Sequence, residues 1–124
     1  MSAEKSGACG GPKLIFACSG AADVGEIADR AARKLTKDGS GNMFCLAGIC
    51  GGIRSIIERT EAASRILAID GCELDCVKNC LLRAGFEKFD HLRVTDLGMR
   101  KGQTPVTEEN VVKVVAKGTE VVAS

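Results

Sequence analysis

The sequence predicts an α/β domain: an open four-stranded parallel sheet with helices on both faces, in the order βαβαβαβα. Three observations lead there. Short, continuously apolar runs recur along the chain, as expected of strands covered on both faces. Between them lie longer segments whose apolar residues return at helical spacing. Glycine-bearing turns separate one kind of segment from the other.

Residues 1–12 are polar and glycine-rich and read as a flexible leader, with Cys9 inside it. Residues 13–124 read as one domain, without an internal repeat or linker. Lys13 to Cys18 is the first strand, ended by Ser19-Gly20. Asp23 is placed to cap the first helix, with Glu26 three residues on. Val24, Ile27, Ala28, Ala31 and Leu35 share one face of that helix. Asp38 to Gly41 stops it. Met43 to Ile49 is read as the second strand, carrying Cys45, and Cys50-Gly51-Gly52 turns the chain.

Ile53, Ile56, Ile57 and Thr60 mark the inner face of a second helix. Arg65 to Asp70 is the third strand and Gly71 its turn. The third helix is expected from Cys72 or Glu73 to Ala84, with Gly85 as its C-terminal cap. His91 to Leu97, less apolar, suits an edge strand. A loop with Arg100 and Lys101 follows. Thr107 begins the last helix, with Val106 and Val111 as its hydrophobic staple and two acids in its first turn. Analogy with doubly wound sheets gives the strand order 2-1-3-4, under the rule of right-handed crossovers.

The formal charge is +1 and the signs are interspersed, so no polyanion partner such as nucleic acid is expected. No apolar run is long enough to span a bilayer and none forms a signal core. The expected setting is the cytoplasm, with no membrane attachment. There, seven cysteines serve metal binding, redox chemistry or the core more often than a disulfide framework.

Ligands of open α/β sheets bind beyond the carboxyl ends of the strands. The cysteines gather at that edge. Cys18 ends strand 1, Cys45 lies in strand 2 with Cys50 just past it, and Cys72 follows strand 3 with Cys76 one helical turn on. Four thiolates in a tetrahedron suit zinc, and nearby backbone N–H groups can compensate the excess negative charge. Cys80 falls closer to the helix's apolar face and is read as core. His91, the only histidine, is expected at the start of strand 4, on the surface and away from the cysteine edge. Arg100 and Lys101 follow strand 4 on the cysteine edge, where they can hold an anion or favour a thiolate.

Three stretches carry a further signal: Ala17-Cys18-Ser19-Gly20, Phe44-Cys45-Leu46-Ala47-Gly48-Ile49, and Ile69-Asp70-Gly71-Cys72-Glu73-Leu74-Asp75-Cys76. Together they resemble the DGC-domain family, whose members are described as zinc-binding. The resemblance runs from Lys13 through nearly all of the remaining chain. It implies a metal held by four chelating cysteines, which match Cys18, Cys45, Cys72 and Cys76 here. Two positions depart from the family pattern. Cys50 stands where glycine is expected, and Glu73 where proline is common.

The residues also admit a thiol enzyme, with Cys72 activated at a helix N-terminus and Cys18 or Cys76 as its resolving partner or as a ligand for a thiophilic substrate. An iron–sulfur carrier is a third possibility, although the spacing matches no familiar cluster pattern.

Overall fold

A computed structural model of the chain describes residues 10–124. Cys9 and most of the leader lie outside the described residues. The elements are β1 (Lys13–Ala17), α1 (Asp23–Lys37), β2 (Asn42–Met43), α2 (Leu46–Cys50), α3 (Arg54–Glu61), β3 (Arg65–Asp70), α4 (Cys76–Arg83), β4 (Asp90–Arg93) and α5 (Glu108–Ala123), with a 3₁₀ turn over Val94–Leu97. The four strands form one parallel sheet in the order 2-1-3-4.

β1 and β3 are the central strands, in register from Lys13 opposite Arg65 to Ala17 opposite Ile69. Their side chains alternate between two cores, as the period of a strand requires. Ile15, Ala17, Leu67 and Ile69 face α1 and α5, packing with Ile27, Ala31, Leu35, Val111 and Val114. Leu14, Phe16, Ile66 and Ala68 face the other way, onto Ile49 of α2 and Val77 and Leu81 of α4. Strands buried on both faces explain why the runs are apolar throughout.

The second strand is much shorter than Met43 to Ile49. Only Asn42 and Met43 pair with β1. The Phe44 N–H still donates to the Ile15 carbonyl at 2.8 Å. The chain then closes into α2, with Cys45 at its N-cap rather than in a strand. A short apolar run fits a strand or a buried helix equally well by periodicity. Here the helix wins because it turns Leu46 and Ile49, three residues apart, onto the same core.

The helix after β3 also starts later than expected. Its first residue is Cys76, and Asp75 precedes it in the left-handed region at φ 53°. Cys72 therefore sits in a turn and not at a helix N-terminus. Asp23, expected as the cap of α1, is the first residue inside it, and Ala22 is the N-cap. The Asp23 carboxylate instead accepts from the Gly102 N–H (2.9 Å) and the Thr104 N–H (3.0 Å), fastening the loop after the 3₁₀ turn to α1. The fourth strand spans Asp90–Arg93, and Val94–Leu97 coils tightly instead of extending.

The remaining cap expectations match the structure. Thr107 caps α5, its Oγ1 accepting from the Asn110 N–H at 3.2 Å. Gly85 follows the Ala84 C-cap of α4 at φ +97°, the conformation glycine adopts at least cost.

Candidate thiol site at the carboxyl edge of the sheet

The site is built on Asp70, the last residue of β3, which is 1% exposed. Its Oδ1 accepts from the Val77 N–H at 2.7 Å and its Oδ2 from the Lys78 N–H at 3.1 Å. These are two of the N–H groups that a helix start leaves without partners. Asp70 thus caps α4 from a neighbouring strand, while Asp75, at the N-cap position itself, makes no side-chain cap bond. To allow this, residues 71–75 must loop out and return.

Gly71 makes the return possible. A Cβ there would lie 2.9 Å from the backbone of Val24 and Gly25 in the first turn of α1. Those atoms belong to a helix and cannot yield cheaply. Gly25 is tight in turn, since its own Cβ would lie 2.7 Å from the Gly20 carbonyl. The Asp-Gly-Cys sequence therefore has a physical reading. Asp70 begins α4, Gly71 lets the turn pass against α1, and Cys72 emerges at the sheet edge.

Arg93 holds the loop from the other side. Its Nε and Nη2 donate to the two carboxylate oxygens of Asp75 at 2.9 and 2.6 Å, a fork-to-carboxylate pair. That hydrogen bonding keeps the Asp75 carboxyl below the usual range and raises Arg93 further. It also secures Asp75 in its left-handed conformation.

His91 is not the remote surface residue that the sequence suggested. Because β4 pairs from Asp90 opposite Leu67, His91 lies level with Ala68, close to the carboxyl edge. Its Nε2 is 2.9 Å from Asp70 Oδ2 and 3.6 Å from Asp75 Oδ1. Among the described residues, Asp70, Asp75 and His91 are the one set of three or more whose ligand atoms all lie within 4.8 Å of one another. These carboxylates already accept from protein donors, and Arg93 stands against Asp75. The cluster is better suited to fixing the start of α4 than to holding a cation.

Cys18, Cys45, Cys72 and Cys76 are free thiols, with Cys18 and Cys72 half-buried and Cys45 and Cys76 exposed. Cys18 continues β1, its N–H donating to the Ile69 carbonyl at 3.1 Å, so it stands beside Asp70. An open groove of about 680 Å³ has Cys18 and Cys45 in its lining, with Ser19, Met43 and Cys50. Cys76 keeps an open side, but burial of its other side pushes its thiol up. Asp70, Cys18 and Cys72 add to that shift, against a smaller opposing effect of Lys101. Cys18 is thus a common neighbour: it shares a groove with Cys45 and electrostatic reach with Cys76.

Among the described residues no three of these thiol sulfurs lie within 4.8 Å of one another. Thiols are nevertheless the donors that soft or borderline dications prefer, and a bound cation offsets the repulsion between neighbouring thiolates. The Lys101 Nζ lies 3.8 Å from Cys72 Sγ, where it can offset one thiolate charge.

The other two cysteines pair with each other. Cys50, at the end of α2, and Cys80, in α4, form a disulfide with their Cα atoms 5.8 Å apart. Cys80 also packs against the second core, as its position on the helix suggested. The disulfide was not foreseen. The signal available was the departure at Cys50 from the glycine expected there.

No helix among the described residues is long and apolar enough to cross a membrane. No solved structure matches the chain. The anaerobic and virulence modulator AnvM of Pseudomonas aeruginosa (strain PAO1) is 36% identical over 88 residues, which cover 71% of this chain and 67% of the relative. The DGC domain model matches residues 14–118, spanning β1, the Asp70–Cys76 turn and most of α5. The chain belongs to the DGC domain family.

Proposed function

We propose that the protein binds zinc through Cys18, Cys45, Cys72 and Cys76. The observation that supports this reading is four unpaired thiols beyond the carboxyl ends of the strands: Cys18 after β1, Cys45 at the start of α2, and Cys72 and Cys76 on the turn into α4. Asp70, Gly71 and Arg93 fix the turn that bears two of them. Holding Cys72 and Cys76 on a fixed turn lowers the cost of ordering them as ligands.

A zinc ion with four thiolate ligands has no open position, so the site suits structural, storage or sensing roles better than Lewis-acid catalysis. The relative's name, a modulator of anaerobic and virulence traits, favours sensing among these. The cytoplasm is the proposed setting, where the four thiols stay reduced.

Elemental analysis of the purified protein tests the reading. About one zinc per chain is expected, with most of it lost in Cys72→Ser and Cys76→Ser. Full zinc in both variants contradicts it.

A second reading rests on the Lys101–Cys72 contact of 3.8 Å. In it Cys72 is a nucleophile for a thiophilic or disulfide substrate, steadied by the ammonium. Alkylation of Cys72 in metal-free protein should then slow several-fold in Lys101→Ala. An unchanged rate removes the support for this reading.

A further inference from the structure

The Cys50–Cys80 pair lies outside the four-thiol set and has a different environment. Cys50 is exposed at the last residue of α2, while Cys80 is half-buried in α4. An open groove of about 730 Å³ runs over both, with Leu74, Cys76, Asn79 and Arg83 also in its lining. Cys50 also lines the groove that holds Cys18 and Cys45. The bond is therefore open to a reagent from solvent and stands between the two halves of the thiol edge.

Besides its core contacts, α2 has few ties of its own. It is five residues long, and its N-cap, Cys45, makes no side-chain cap bond. Helices this short do not persist by themselves. Its fixed points are Leu46 and Ile49 on the core, Gly48 against Ile56 of α3, and the bond from Cys50 to α4. α4 is anchored independently, by Asp70 at its start and by Val77 and Leu81 in the core.

We propose that Cys50 and Cys80 form a reversible redox latch that fastens α2, and with it Cys45, to α4. The idea stands whether or not the four thiols take zinc. The oxidising partner is a small-molecule disulfide such as oxidised glutathione. The thiolate of Cys50, the more exposed of the two, attacks it, breaking its S–S bond and releasing one thiolate. The thiolate of Cys80 then attacks the mixed disulfide at Cys50 and releases the second. Two cysteine thiols are oxidised, two small thiols are formed, and the two cysteine protons pass to the released thiolates. A dithiol reductant reverses both steps and becomes a disulfide itself. Disulfides of cytosolic proteins are usually of this transient kind.

The test uses metal-free full-length chain equilibrated in buffers of reduced and oxidised glutathione, then alkylated and mapped by mass spectrometry. Five of the seven cysteines should alkylate in the oxidised state, with Cys50 and Cys80 linked, and all seven in the reduced state. The change should reverse on returning the buffer. Hydrogen exchange provides the second readout. Amides of residues 46–51 should exchange about tenfold faster after reduction, as local opening becomes easier. Cys50→Ser/Cys80→Ser should show the fast rate in both buffers. A linkage between other cysteines, two free thiols at Cys50 and Cys80 in the oxidised buffer, or equal exchange in the two states would overturn the proposal. Zinc analysis of the protein as purified, before metal removal, reports separately on the four-thiol reading.

Discussion

Replacing Asp70 by alanine probes the frame beneath the thiol site. Asp70 is 1% exposed and receives N–H bonds from Val77 at 2.7 Å and Lys78 at 3.1 Å. Val77 is wholly buried, so its N–H has no water to turn to. Leaving such a donor unsatisfied costs about 1–3 kcal/mol. Loss of the second bond, on the more open Lys78, costs about 1 kcal/mol, as cap deletions do. The sum is about 3 kcal/mol, a large share of the roughly 5–15 kcal/mol that stabilises a typical domain. For a chain of this size that lowers Tm by roughly 10–15 °C. Asp70→Asn keeps one good acceptor and should lose about half as much. His91→Ala leaves both N–H bonds in place and should cost under about 1 kcal/mol. Urea unfolding of metal-free protein, followed by far-UV circular dichroism, measures all three. If Asp70→Ala lies within 1 kcal/mol of wild type, or if His91→Ala costs as much, Asp70 is not the cap of α4.

Two further predictions concern the surroundings of that turn. Gly71→Ala should cost about 1–3 kcal/mol, the usual range for overpacking, because its Cβ meets helix backbone at 2.9 Å. Gly20→Ala, where nothing lies within 4 Å, is the control, and equal urea midpoints for the two variants would refute the argument. Asp23 gives a pH signature. Hydrogen bonds from Gly102, Thr104 and Val24 lower its carboxyl from the ordinary 3.8. The unfolded chain then binds the proton more readily, so Asp23 stabilises the fold above about pH 4 and loses that effect as pH falls through its lowered value. The stability gap between wild type and Asp23→Asn should narrow from pH 7 to pH 3. A gap that widens reverses the sign and refutes the assignment.

The sheet was readable because its strands are apolar on both sides, which few other structures require. Strand order came from analogy with doubly wound sheets, within crossover rules that do not depend on individual side chains. The departures arose where a short segment was decided by contacts distant in sequence. Met43 to Ile49 carries no periodicity that separates strand from helix, and the core around Phe16 decided it. The late start of α4 depends on Asp70 reaching across to Val77 and Lys78, a bond that local propensity does not contain. His91 was misplaced because the edge strand was read as running to Leu97. Ending it at Arg93 moves the histidine toward the carboxyl edge. The choice of Cys18, Cys45, Cys72 and Cys76 came from strand ends and from family resemblance. The structure leaves these four unpaired, while Cys50 and Cys80 join each other.

X-ray absorption at the zinc edge of the metal-loaded protein tests the four-thiolate site most directly. The account predicts a shell of four sulfur atoms at about 2.3 Å, falling to three with one lighter atom in Cys45→Ser. A shell dominated by nitrogen or oxygen at about 2.0–2.1 Å, insensitive to Cys45→Ser and altered by His91→Ala, would instead place the metal at Asp70, Asp75 and His91 and contradict it.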